Sequence, residues 1–185
     1  MVDVTRLLQK ARQSADQAAI DEIIGYLYPD LHRMARARLA KNGTITQLDA
    51  TSMVHETYER LRNGGQIDAT CRGQFLAYAS QVMRSVVVDF VRKRRAERRG
   101  GDAVQVTLST NVLNRAGSDD EDIERVNDAL VELEAVDPRL KQVVEMRYFG
   151  GFAEREIAEA LGVTDRTVRR DWERARLLLQ VSIRR

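Results

Sequence analysis

The stretch Phe152–Leu179, FAEREIAEALGVTDRTVRRDWERARLLL, holds two helical patterns separated by a three-residue break. The first places Ile157, Ala158 and Leu161 on one apolar stripe, the spacing of an amphipathic helix. Gly162 ends it, because a residue without a Cβ suits the left-handed position that closes many helices. Thr164 is placed to cap the second helix. That helix predicts burial of Val168, Trp172, Ala175 and Leu179, and leaves Arg166, Arg169, Arg170 and Arg174 to the other faces. Two helices joined by a short turn, the second basic near its start, form the arrangement that sets a recognition helix in the DNA major groove. The plainer reading is a surface helical hairpin in an Arg-rich chain. The capped turn together with the basic exposed face favours DNA.

The rest of the chain supports an all-α reading. Its 185 residues suffice for one domain or two small ones, and its 43% hydrophobic content with only 5% aromatics points to aliphatic helix packing. The net charge of +2 with 31% charged residues excludes a general polycation, so the placement of charge carries the information. A single cysteine, Cys71, excludes an internal disulfide and fits a reducing, cytoplasmic setting. No apolar run is long enough to span a bilayer, so no membrane partner is expected.

Upstream, a short helix over Asp3–Gln13 uses Val4, Leu7, Leu8 and Ala11 as its apolar face. A longer helix over Asp16–Ala40 contains Pro29, which predicts a kink near Tyr28 or two abutting helices. Past it, Leu31, Met34, Ala35 and Leu39 read as buried, with Arg33, Arg36, Arg38 and Lys41 facing out and Asn42-Gly43 ending the segment. A third helix over Asp49–Arg62, capped by Asp49, turns Met53, Val54, Thr57, Tyr58 and Leu61 inward. A polar loop with paired glycines over Asn63–Arg72 leads to a fourth helix over Gln74–Arg98. That helix ends in Arg92, Lys93, Arg94, Arg95, Arg98 and Arg99, a basic run denser than helix capping requires and suited to phosphate contacts. His32 and the His55-Glu56 pair lack the second histidine or cysteine that a metal site needs, and no catalytic constellation or cofactor motif is present.

After Gly100-Gly101 the chain turns polar and then acidic at Ser118–Asp122, so residues 101–122 read as a linker. Helical periodicity resumes at Ile123, and Asp137-Pro138 starts another helix with proline where a first turn tolerates it. The expectation is two small all-helical domains, 1–100 and 123–185, the second with the helix-turn-helix.

Two segments in this order, FLAYASQVMRSVVVDFVRKRRA (75–96) and LKQVVEMRYFGGFAEREIAEALGVTDRTVRRDWERARLLL (140–179), resemble the extracytoplasmic-function, or group IV, sigma factors of bacterial RNA polymerase. The resemblance implies a protein that binds core polymerase and promoter DNA. Its first domain would meet the polymerase through the third helix and the −10 element through the fourth, and its second would read the −35 element. It assigns −35 contacts to Thr164, Arg166, Thr167, Arg169, Arg170 and Arg174. It assigns −10 contacts to Arg72, Gln74, Tyr78, Arg92, Lys93, Arg94 and Arg95, with Tyr78 also suited to the core. Polymerase contacts fall to Asp49, Thr51, Ser52 and Glu56. One departure stands out: where the family carries an acidic DAED-like motif, this chain has Asp49-Ala50-Thr51-Ser52. Hydroxyls replace two carboxylates there, which predicts Thr51 or Ser52 as a site where phosphate restores the missing charge. An anti-sigma factor or a Ser/Thr kinase is thus an expected partner. The competing expectation is a dimeric helix-turn-helix regulator that never joins polymerase.

Overall fold

Val4, Leu8 and Ala11 share one buried face of helix α1, Val4–Ser14. It packs on α2, Gln17–Lys41. The computed structural model describes residues 4–14, 17–41, 48–64, 67–100 and 110–183, and every regular element among them is helical. Helix α2 runs unbroken through Pro29, in place of the two abutting helices that were one expectation. The reason is its setting: Pro29 and the preceding turn at Gly25 are exposed, so the Gly25 carbonyl deprived of its partner is open to water.

Helix α3, Ala50–Asn63, buries Met53, Val54, Thr57 and Leu61 as its periodicity predicts. Ile67 and Ala69 pin the following loop into the core, and α4, Arg72–Gly100, crosses the bundle with Phe75, Leu76, Ala79, Met83, Val86 and Val87 buried. Val82, Phe90, Tyr58 and Leu39 are only partly buried at its margin. The helix end at Asn42-Gly43, the loop residues Gly65-Gln66 and the side chains of Arg98 and Arg99 lie outside the described residues.

The second region begins earlier than its apolar pattern suggests, because α5 spans Thr110–Val136 and carries the backbone of the acidic run Ser118–Asp122 in helical form. Polar composition alone does not separate helix from coil. Residues 101–109 of the expected linker lie outside the described residues. Asp137 then caps α6, Pro138–Val144, its carboxylate accepting from the Arg139 N–H at 3.1 Å, with Pro138 in the first turn. A wide π-type turn over Glu145–Phe149 follows. Helices α7, Glu154–Leu161, and α8, Asp165–Ile183, complete the region. Its own core is Leu130, Leu133, Leu140, Val144, Phe149 and Ala175, with Trp172 and Leu179 packed on it.

Arg38 corrects the sequence expectation outright. It lies fully buried, with its guanidinium carbon 4.7 Å from the ring centroids of both Tyr148 and Phe149 in the second region. Its position one turn beyond Met34 and Ala35 continues the apolar stripe of α2, and the rings supply the negative faces that a cation accepts in place of water.

Candidate nucleic-acid interface

The helix-turn-helix forms from the punctuation already visible in its residues. Gly162 has φ +66°, the left-handed conformation that closes α7, and the Thr164 hydroxyl accepts from the Thr167 N–H at 3.3 Å to cap α8. Val168 and Ala175 are fully buried, which turns Arg166 and Arg170 outward on the opposite side. At the start of α7 the Glu156 carboxylate accepts from the Ala153 N–H at 2.8 Å. Glu154 joins three elements, binding Arg147 from the wide turn at 3.1 Å and Arg169 from α8 at 3.1 Å. Those two guanidinium groups hold the Glu154 carboxyl below its ordinary pKa. Arg169 is thus engaged with the neighbouring helix, whereas Arg166 and Arg170 are exposed, Arg170 with its Nε 3.9 Å from Asp171. Arg174 lies near Asp137 at 3.7 Å, and the adjoining Asp171 is buried against Arg139 at 2.8 Å.

The residues expected on the −10 side come together at the start of α4 but with internal partners. Arg72 binds Asp30 at 2.6 Å, and the Gln74 side-chain oxygen accepts from the Thr70 N–H and hydroxyl, each at 2.9 Å. Tyr78 is half-buried against the core. At the other end of the helix, Arg92 and Lys93 are exposed, Arg94 is half-buried, and Arg95 reaches α5 to bind Glu124 at 2.7 Å. The basic run is thus divided, with one pair toward solvent and Arg95 tied to the second region.

At the start of α3, Asp49 accepts from both the Ser52 N–H at 2.8 Å and the Ser52 hydroxyl at 2.9 Å. These two bonds hold its carboxyl below the ordinary carboxylate range. Ser52 is exposed, but its hydroxyl is engaged in the cap. Thr51 is exposed beside it, and Glu56 pairs with Arg60 one turn on at 3.7 Å.

Periodicity missed the contacts between the two regions. Arg84 of α4 reaches the fully buried Glu145 at 2.9 Å and also donates to the Asn127 side chain. Burial drives the Glu145 carboxyl above its ordinary pKa, against the opposing pull of Arg84 and Lys141. Arg33 of α2 meets Glu156 of α7 at 3.3 Å. The available signal was Glu145 standing among Leu140, Val143, Val144 and Met146 on an otherwise apolar face. Among the described residues there is no cluster of metal-binding side chains, and no helix is long and apolar enough to cross a membrane.

A protein-family model described as ECF sigma factor matches the chain over residues 1–185. No curated protein matches it.

Proposed function

The chain belongs to the ECF sigma factor family of non-catalytic transcription factors, and from that premise we propose that it binds core RNA polymerase and directs it to promoters with −35 and −10 elements. In this reading residues 1–100 form the polymerase-binding and −10 domain, and residues 123–185 form the −35 domain. The observation that carries it is the outward pair Arg166 and Arg170 on the capped helix α8, within a match that spans both regions. Guanidinium groups in the first two turns of a groove-bound helix reach guanine edges or flanking phosphates. Arg170→Ala is expected to cost about 1–3 kcal/mol of binding and to relax preference at one −35 position. Run-off transcription with core polymerase over a library of −35 variants measures this. A uniform loss over all sequences would assign Arg170 to phosphate instead.

The start of α3 is the proposed polymerase-facing surface, and phosphorylation of Thr51 is its proposed switch. Thr51 is exposed, whereas the Ser52 hydroxyl is held by Asp49. A phosphate adds about −1.5 to −2 charges and sits well near the positive end of a helix dipole. It would supply the negative surface that Asp49-Ala50-Thr51-Ser52 lacks relative to an acidic motif. Treatment with a Ser/Thr kinase that modifies this segment is expected to raise core-polymerase affinity about tenfold or more, with Thr51→Ala unresponsive. Equal affinity of treated and untreated protein would remove the switch and leave Thr51 as part of the helix start.

A further inference from the structure

The two regions are not side by side at random: α7 and the wide turn of the second region lie directly on α4 and α2 of the first. Gly73 abuts Ala160 so closely that a Cβ on it would stand 2.9 Å from the Ala160 Cβ. Gly150 leaves room for Ser80 in the same way, and Gly151, at φ +67°, faces Ala37. Around these close approaches stand Arg38 on Tyr148 and Phe149, Arg84 on Glu145, Arg33 on Glu156 and Arg95 on Glu124. Buried residues of both regions, such as Leu76, Ala79, Met146 and Phe152, share one continuous apolar cluster.

This arrangement is incompatible with reading two promoter elements at once. Elements centred roughly 25 base pairs apart lie about 85 Å apart along straight DNA at 3.4 Å per base pair. Here α7 touches the first turn of α4, and Gly73, the residue it covers, sits between Arg72 and Gln74. We propose that this is a closed, self-inhibited form of the free chain. The second region caps the start of α4 and is latched by Arg38 against Tyr148 and Phe149, and both must separate before a promoter is engaged.

The seam combines an apolar cluster, in which Met146, Phe152, Ile157 and Ala160 are buried with Leu76 and Ala79, with the ion pairs and cation–ring contacts of Arg33, Arg38, Arg84 and Arg95. The polar contacts exchange for hydration or for a partner's charges when the regions part, and the second region keeps a separate core in Leu130, Leu133, Leu140, Val144, Phe149 and Ala175. The inference rests on the sigma-factor reading for its consequence but not for the closure itself.

The test uses the full chain carrying Cys71→Ser, with a donor and an acceptor dye on cysteines introduced at the exposed positions Glu22 and Arg176. Single-molecule energy transfer on the free chain is expected to give one compact population. Arg38→Ala, which removes the latch, and Ala37→Trp, a wedge against Gly151, should each shift it to a broad, extended one while far-UV circular dichroism holds. The two opened variants should also bind a promoter fragment with an exposed single-stranded −10 segment about tenfold or more tightly without polymerase, since the competent fraction limits apparent affinity. Core polymerase should extend the unsubstituted chain in the same way. An extended population in the unsubstituted free chain, or a compact one that survives both variants, would overturn the closure. A compact chain that never binds core polymerase would instead overturn the sigma-factor reading and leave the closure standing.

Discussion

Phe149→Ala is expected to unfold most of the second region at room temperature. Phe149 is fully buried among Leu130, Leu133, Leu140, Val144 and Ala175, and its ring also carries the Arg38 guanidinium. Truncating a buried phenylalanine costs about 3–5 kcal/mol, combining lost transfer energy with the cavity left behind. A region of roughly 60 residues holds only about 3–9 kcal/mol in total at 0.05–0.15 kcal/mol per residue. The loss is therefore comparable with the whole. The protein contains one tryptophan, Trp172, half-buried in this region, so denaturant unfolding followed by its fluorescence reports on α5–α8. Far-UV circular dichroism follows the first region as well, which Phe149 meets at Arg38. The expected pattern is a large fall in the fluorescence midpoint with a residual helical transition from α1–α4. Coincident transitions with a loss under about 1 kcal/mol would show that the ring is dispensable to this core.

The helix-turn-helix was legible because its information is local. Gly162, Thr164 and Pro138 each act through their own backbone geometry, and the stripe through Val168 and Ala175 follows from a single helix period. Arg38 was not legible, because a residue on an apolar stripe is judged by its own polarity until the opposing surface is known. Its ring partners lie more than a hundred residues away on another helical region. Pro29 shows the complementary case: of its two expected outcomes, abutting helices did not form, because the turn that the proline disturbs faces water. The candidate site divides along the same line. Which arginines belong to α8 was readable, but that Arg169 is held by Glu154 while Arg166 and Arg170 are outward needed the neighbouring helix.

Arg84→Ala is expected to weaken the closed arrangement in a way that grows with pH. Glu145 is fully buried, and its carboxyl is already raised above the ordinary value by burial, opposed by Arg84 first and Lys141 second, with Glu134 adding to the rise. Removing Arg84 takes away the larger opposing charge and raises it further. A carboxyl whose folded pKa lies above its unfolded value contributes most below the unfolded value, and that contribution is lost as pH rises through the folded one. The variant should therefore approach the unsubstituted chain near pH 4.5, the ordinary value, and diverge steadily from it toward neutral pH. Breaking a buried pair by deleting one partner costs about 3–5 kcal/mol at neutral pH when the remaining charge stays buried. Here the pair bridges two regions, so the cost is capped by the free energy of parting them, after which Glu145 is hydrated. The double variant Arg84→Met with Glu145→Leu removes both charges at similar volume and should recover the closed form or exceed it by about 1–4 kcal/mol. Chemical unfolding and dye-pair distances measured from pH 4.5 to 8 on all three proteins check this together. A difference between Arg84→Ala and the unsubstituted chain that is constant with pH would mean that Glu145 does not ionise in the closed form. Arg84 would then act through its contact with Asn127 alone.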